Sequence, residues 1–455
     1  MASRPNILVI MDDQHRFDYL GCAGADFVQT PNIDRLAANG VRFTQCTTNA
    51  PICAPARIGL ATGMQPSHLG ALDNTAYLPA DATTYYKRLR DADYRVGLVG
   101  KLDLAKPFPN NGRYGDRPRV YGFGFTHPEE CEGKMHAASS PEPFGPYTYF
   151  LHERGFLQAF HEDYQKRAQT DWIQGASHDS VLPVEAFEDV YIGQRATRWI
   201  ENIPDDYPWH LFVSFVGPHD PFDPPTAFAD RYRHATMPDP IPPDDDRPRH
   251  VHARRVNLDT DEVMQIRRQY CALITLIDEQ IGAILYALDR RGMTENTLII
   301  FVSDHGEMLG DHALYKKHVA YEPAMRVPLI VSGLGIEGGR VNDSLIELID
   351  LNPTICEMAG LSPQPGLDAE SFAPILRGET TTHRQNTVTA ERHYRAIRTH
   401  QYKLIQNYND IFELYDLEDD PYETHNIADE NDTIVSGLYK QMSRRFMRPT
   451  PQNPY

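Results

Sequence analysis

The sequence has few of the devices that staple a chain or hold it in a membrane. Its six cysteines (Cys22, Cys46, Cys53, Cys131, Cys271, Cys356) are scattered without a CxxC pair. That pattern excludes a zinc knot and offers no disulfide framework, so reduced thiols are expected. No apolar stretch approaches the ~20 residues that cross a bilayer. The opening MASRPNILVIMDD runs from a short apolar segment into two aspartates, with no small-residue cleavage site behind it. Neither an export signal nor a span is therefore expected, and a cytoplasmic location is the simplest expectation. Positive charge is also short: 44 Lys and Arg face 63 Asp and Glu, a net charge of -19. This balance opposes nucleic acid and anionic membrane as general partners. There is no internal repeat and no low-complexity tract.

What is present is a long chain of alternating apolar runs and helical patterns. At 455 residues with 41% hydrophobic content, it exceeds the size at which one core keeps growing, so a large domain plus a smaller one is expected. Short β-branched runs (Asn6 to Met11, Arg95 to Val99, Leu211 to Val216, Leu298 to Val302) each end in polar or charged residues and read as buried strands. Helical spacing falls between them at Pro31 to Asn39, Thr83 to Ala92, Pro183 to Asn202 and Asp261 to Arg291. Alternation of this kind predicts an α/β layer architecture with a largely parallel sheet, whose ligands collect at the carboxyl ends of the strands. After about residue 365 the pattern changes to short antiparallel strands (Val388 to Arg398, Tyr402 to Gln406, Glu413 to Leu417) and a closing helix from Asp432 to Arg445. We therefore expect a catalytic domain over 1–365 and a small α+β subdomain over 366–455. The stretch from Pro107 to Ser180 has little periodicity and reads as long loops over the site.

The segment Cys53-Ala54-Pro55-Ala56-Arg57 sets a thiol one helical turn before a guanidinium. If Cys53 starts a helix, Arg57 shares its face and the free N–H groups of the first turn add positive charge near sulfur, an arrangement that suits a tetrahedral oxyanion. The alternative is a buried apolar cysteine with a surface arginine. Asp12-Asp13 and Asp304-His305, each after a strand run, read either as solvated turns or as two halves of a site for one divalent cation. Lys101, Lys317 and Arg57 would then supply positive charge for an anionic group, and His219 a proton donor that works near neutral pH.

With these residues assembled, the chain resembles the sulfatases of the alkaline-phosphatase superfamily over nearly its whole length. The matching segments are NILVIMDD, TPNIDRLAANGVRF, CAPAR followed by ATG, VGKLDL, GPHDPFDPP, FVSDHGE, YKKHVAYE with RVPLIVSG, and the late RAIRTHQYKLI and ELYDLEDDP. The resemblance implies an alkaline-phosphatase-like fold: a large, mostly parallel mixed sheet sandwiched by helices, with a small antiparallel sheet in the C-terminal subdomain. It implies that Cys53 is oxidised to formylglycine by a formylglycine-generating enzyme. One hydroxyl of the hydrated aldehyde then attacks sulfur and displaces the alcohol, and the second expels sulfate. Asp12, Asp13, Asp304 and His305, with position 53, would bind one divalent metal, calcium or alternatively manganese. Arg57 would orient the hydrate, Lys101 and Lys317 would bind sulfate oxygens, and His219 would protonate the leaving oxygen. Asn74, beside Asp73, would touch the substrate or cap a helix end.

Three positions depart from the family pattern: Ala56 where many members have Ser, Asp103 where many have a His that serves sulfate release, and His305 where many have Asn. A nitrogen at the last position is less natural for calcium. His15, Arg16, His68, Lys134, His136, Asp220 and Arg392 would line the pocket or play solvated and structural roles, and His312 and His318 stay open in the same way. The expected activity is hydrolysis of a small aryl or carbohydrate sulfate monoester. The alternatives are a phosphonate monoester or phosphodiester hydrolase of the same superfamily, or a non-catalytic binder of sulfated ligands. A homo-oligomer stays open.

Overall fold

The computed structural model describes residues 4–106, 108, 110–170 and 177–447. Eight strands form the main sheet: β1 (Asn6–Asp13), β2 (Gly40–Thr47), β3 (Arg95–Lys101), β4 (His127–Cys131), β5 (Trp209–Pro218), β6 (Thr297–Ser303), β7 (Leu329–Gly333) and β8 (Arg340–Glu347). Their order is β4-β3-β5-β1-β6-β7-β2-β8. Only β7 runs antiparallel, to both β6 and β2; the other pairs are parallel. β1 is buried on both faces, as its unbroken apolar run demands of a central parallel strand. Its Leu8 and Ile10 pack toward the helices Glu188–Asn202 and Thr260–Arg290. Ile7, Val9 and Met11 pack on the other face, toward the helix Cys53–Thr62.

The helix Thr260–Arg290 is long and apolar enough to cross a bilayer by composition, yet it is mostly buried as the core helix of this face. A reciprocal cap starts it: Glu262 N–H donates to Asp259 at 2.9 Å, and Asp259 N–H to the Glu262 carboxylate at 3.0 Å. Midway along it, buried Asp278 accepts the Ile33 N–H at 2.8 Å, pinning the amino end of the helix Pro31–Ala38 to the same layer.

The small sheet has antiparallel strands β9 (Thr387–Glu391), β10 (Tyr394–Arg398), β11 (Tyr402–Asn407) and β12 (Phe412–Asp416). One face takes the terminal helix Asp432–Phe446 through Leu438 and Met442. The other, with Tyr394, Ala396, Ile405 and Tyr415, packs on Leu314, Val319, Tyr321 and Met325 of the main body. Buried Glu322 fixes that docking with Arg398 at 2.8 Å and Lys403 at 2.9 Å, and Lys403 also reaches Glu423 at 2.6 Å.

The expected strands and helices form with two differences: the run Val388 to Arg398 is two strands, β9 and β10, parted by a turn at 392–393, and the helix expected from Pro183 starts at Glu188 after a short 3-10 turn. The expectation of long loops from Pro107 to Ser180 is corrected. Apart from Pro107, Pro109 and 171–176, which lie outside the described residues, the segment carries β4 and the helices Pro118–Gly122, Lys134–Ala137, Pro146–Glu153 and Leu157–Arg167. These elements are too short to show a period. The helices Pro146–Glu153 and Leu157–Arg167 are held by burial of Tyr147, Leu151, Phe160 and Tyr164 in the core shared with the helix Glu188–Asn202, and Pro118–Gly122 by Val120 in the core of the opposite face, rather than by local propensity.

Candidate active site

Because β3, β5, β1 and β6 are neighbours and parallel, their carboxyl ends bring Lys101, His219, Asp13 and Asp304 to one place. The helix Cys53–Thr62 brings its first residue to the same spot, and all ten of its residues are buried. Asn74 Oδ1 accepts the Ala54 N–H at 3.1 Å in the first turn of this helix, and Asn74 lines the adjoining cavity. Gly100 lets β3 approach β5: a Cβ there would lie 1.9 Å from the Ser214 carbonyl oxygen.

Ligand atoms of Asp13, Cys53, Asp304 and His305 all lie within 4.8 Å of one another, and all four residues are buried. Cys53 Sγ is 3.2 Å from His305 Nε2. The other nitrogen of that ring, Nδ1, donates to the Gly306 carbonyl at 3.0 Å, which leaves the Nε2 lone pair facing the cluster. Arg57 runs beneath: Nε to Asp304 at 2.7 Å, Nη2 to Asp13 at 3.1 Å, and Nη1 to the Lys101 carbonyl at 2.9 Å and Ser214 Oγ at 2.8 Å. The surface-arginine alternative for Arg57 is thereby excluded.

Asp12 is not among the four. Its Oδ2 pairs with His15, while its Oδ1 is buried with no partner among the described residues. Asp12 and Asp13 thus differ in their protein partners, one carboxylate oxygen of Asp12 being tied to His15 and the other unclaimed among the described residues. β1 is irregular against β5 between Met11 and Asp13, so the alternation of faces that places Ile7, Val9 and Met11 toward the Cys53 helix does not by itself place the two aspartates.

Lys101 Nζ pairs with Asp13 and lies 3.3 Å from Asp103, which also takes Lys106 at 2.9 Å. Burial opposes ionisation of Asp103, but Lys101 and Lys106 override it and hold the carboxyl below its ordinary range. Lys317 Nζ is 2.8 Å from His219 Nε2 and donates to Gln14 Oε1. His219 Nδ1 donates to the Asp220 carbonyl at 2.5 Å, so Nε2 is the atom turned to the site. Burial and Asp13 both oppose ionisation at Cys53, yet Lys101 and Lys317 hold its thiol well below the usual range. The field at position 53 thus favours negative charge.

Sequence reasoning missed Gln14, Ser214 and Lys106. Gln14 binds Lys317, Glu307 and, at 3.3 Å, Asp220. It adopts a left-handed φ of 72°, as Asp103 does at 59°. Both sit just past strand ends, and for Gln14 that position was the signal that could have found it. Of the less secure candidates, Lys134 and His136 line the cavity beside the cluster, and Lys134 holds the His219 carbonyl at 3.3 Å and Asp223 at 3.1 Å. Asp220 lies beside His219 at 3.3 Å. Arg392 is exposed and pairs with Asp73. The others are structural: His15 with Asp12, Arg16 with Asp311 at 2.6 Å, His68 with Asp368 at 2.8 Å, His312 against Arg247 at 3.3 Å, and His318 with Glu391.

Comparison with known proteins gives these parts a family. The sulfatase family model matches residues 5–361, and the model for the C-terminal part of N-sulphoglucosamine sulphohydrolase matches 310–449. A choline-sulfatase of Rhizobium meliloti (strain 1021) is 31% identical, covering 94% of this chain and 83% of its own. An arylsulfatase of Clostridium perfringens (strain 13 / Type A) is 28% identical, covering 94% and 91%. The solved phosphonate monoester hydrolase of Silicibacter pomeroyi shares the fold, with a TM-score of 0.81 at 23% identity over 99% of this chain and 96% of that one. On this match and on the fold described above, the chain belongs to the sulfatase family, hydrolases of sulfuric esters built on the alkaline-phosphatase-like fold.

Proposed function

We propose that the protein hydrolyses a small sulfate monoester to alcohol and inorganic sulfate, with position 53 as the nucleophile. The observation that carries this reading is the meeting of Cys53 with Asp13, Asp304 and His305 inside 4.8 Å, under the cations Arg57, Lys101 and Lys317. Converted to formylglycine, Cys53 would supply a hydroxyl nucleophile and a second hydroxyl whose ionisation releases sulfate. Lys101 and Lys317 would bind the sulfate oxygens where negative charge develops. Arg57, locked by four contacts, would hold the two carboxylates and orient position 53.

The donor set fits one divalent cation. Two buried carboxylates and an imidazole with its lone pair inward converge, and the buried Asp12 Oδ1 beside them lacks a partner among the described residues. Such an ion, held by Asp13, Asp304, His305 and position 53, would polarise the sulfate oxygens and acidify the nucleophile. The carboxylates suit calcium and the imidazole suits manganese. Asp103 is better read as the counter-charge that fixes Lys101 and Lys106 than as a base, since a carboxylate held ionised by two lysines has little affinity for a proton.

The test is turnover of matched sulfate, phosphonate and phosphodiester esters of 4-nitrophenol by protein co-expressed with a formylglycine-generating enzyme. The sulfate should show the highest kcat/KM, and a phosphonate preferred over it would reassign the reaction. His219 has its own signature. With Nε2 delivering the proton to the leaving oxygen, His219→Ala should cost about 10²–10⁴-fold on alkyl sulfates and much less on 4-nitrophenyl sulfate, whose leaving group departs unaided. Equal losses across a leaving-group series would remove His219 as the acid.

A further inference from the structure

The five residues between β2 and the helix Cys53–Thr62, positions 48 to 52, form neither strand nor helix, and all are buried. Ile52 precedes the helix without a side-chain cap, so local sequence does not fix where Cys53 sits. Buried irregular backbone has to find its partners elsewhere in the molecule. Distant segments supply them here: the Thr48 N–H donates to the Met325 carbonyl at 2.8 Å, the Ala390 N–H to the Asn49 carbonyl at 3.0 Å, and the His318 N–H to the Pro51 carbonyl at 3.3 Å.

The side chain of Asn49, itself 2% exposed, ties these segments to one another. Its Oδ1 accepts the Ile349 N–H at 3.3 Å, just past β8, while its Nδ2 donates to the Val388 carbonyl at 3.1 Å and to Gln65 Oε1 at 3.2 Å. Gln65 is held in turn, because its Nε2 donates to Glu347 at 3.1 Å and leaves Oε1 as the end that meets Asn49. Both amide orientations are thereby set. β9 is an edge strand of the small sheet, and its outer edge is closed from the main body. Asn49 takes the Val388 carbonyl and the Ala390 N–H, and Glu347 takes the Val388 N–H at 2.8 Å. Glu347 also receives Arg445 of the terminal helix at 2.7 Å. The small sheet and the terminal helix are thus joined, through Asn49, to the segment that ends at Cys53.

We propose that Asn49 is a positioning residue of the reaction: it aligns the Cys53 segment with the edge of β9, so that the C-terminal subdomain sets where the nucleophile stands. This rests on the reading of position 53 as the nucleophile. Asn49 acts through the backbone of residues 50 to 52, and a displacement near 1 Å at a reacting atom is enough to cost about 10²-fold in rate.

The experiment compares the kinetics and melting of Asn49→Ala, Gln65→Met and Leu414→Ala, each made with a formylglycine-generating enzyme and scored per mole of folded, modified protein. Asn49→Ala should lower kcat about 10²-fold and leave KM within about threefold, because the cations that bind the ester stay in place while the nucleophile shifts. Gln65→Met keeps the bulk and removes the amide, and should lower kcat about tenfold. Added to Asn49→Ala it should lower kcat no further, since Gln65 acts through Asn49. Leu414 is fully buried on β12, the far edge of the small sheet. Its loss to Ala should lower the melting temperature through a cavity yet keep kcat within about twofold. Wild-type kcat in both Asn49→Ala and Gln65→Met overturns the proposal, as does an equal loss of kcat in Leu414→Ala or an additive loss in the double variant. If Asn49→Ala does not fold, Gln65→Met against Leu414→Ala decides alone. The comparison uses whichever of the sulfate, phosphonate and phosphodiester esters is turned over fastest, and a Cys53→Ala variant that kept its turnover would remove the nucleophile by itself, so the two readings fail separately.

Discussion

Cys53→Ala is expected to lower turnover by at least about 10⁵-fold while leaving a folded protein. The side chain is fully buried at the start of its helix, so trimming it to Ala leaves a small cavity that costs about 1 kcal/mol or less of stability. What is lost is the sulfur placed against Asp13, Asp304 and His305 within a field that favours an anion. The wild-type protein supplies the companion result. Made with a formylglycine-generating enzyme it should be active, and mass spectrometry of a peptide spanning 53 to 57 should find the aldehyde in proportion to activity. An active preparation containing only the unmodified thiol would overturn the formylglycine mechanism.

Arg57→Ala should be the most destabilising single change in the site. Arg57 is 2% exposed and compensates Asp13 and Asp304, both fully buried, while satisfying a carbonyl and a hydroxyl. Removing one partner of a buried charge set costs about 3–5 kcal/mol, because the remaining charges stay buried without compensation. The loss should be larger in chelator-treated protein, where no cation shares the neutralisation, and smaller when divalent metal is restored. Activity should fall by about 10³-fold or more, since the carboxylates lose the fork that sets their positions. Arg57→Lys should recover little of either, because an ammonium cannot reach the points that Nε, Nη1 and Nη2 reach together. Thermal melts with and without metal, beside kcat, check this. A variant melting within a degree of wild type under both conditions would mean that the four contacts contribute little.

How legible the molecule is from its sequence depends on whether the relevant force is local. The β1 and β6 runs announce themselves because a central parallel strand is apolar on both faces, and the helix Thr260–Arg290 because its stripe persists over many turns. Strands β2, β7 and β8 carry polar or partly exposed residues, or lie within a match of other kinds, and go unread as strands. The helices Pro146–Glu153 and Leu157–Arg167 become legible only once Tyr147, Phe160 and Tyr164 are seen to share a core with a helix far along the chain. At the site, the residue types and strand ends were readable, but the different partners of Asp12 and Asp13 were not. Two adjacent carboxylates look alike until His15 is seen beside one and Arg57 with Lys101 beside the other. Ser214 and Gln14 carried no motif at all, and their roles come from Arg57 and Lys317 reaching them across the sheet.

On the mechanism proposed above, the burial of the helix Cys53–Thr62 beneath a sheet whose middle is closed by β6 would make modification of Cys53 a matter of timing. An enzyme that must grip the residues around Cys53 can do so only before this layer closes. β1 cannot gain its β6 neighbour until residue 303 has been made, roughly 250 residues after position 57. At ordinary rates of translation that interval lasts on the order of 10–50 s. Chains that complete folding unmodified would be stranded as stable, inert copies. Late induction of the modifying enzyme should then rescue newly made protein alone, so the active fraction of any preparation would record how synthesis and oxidation were synchronised.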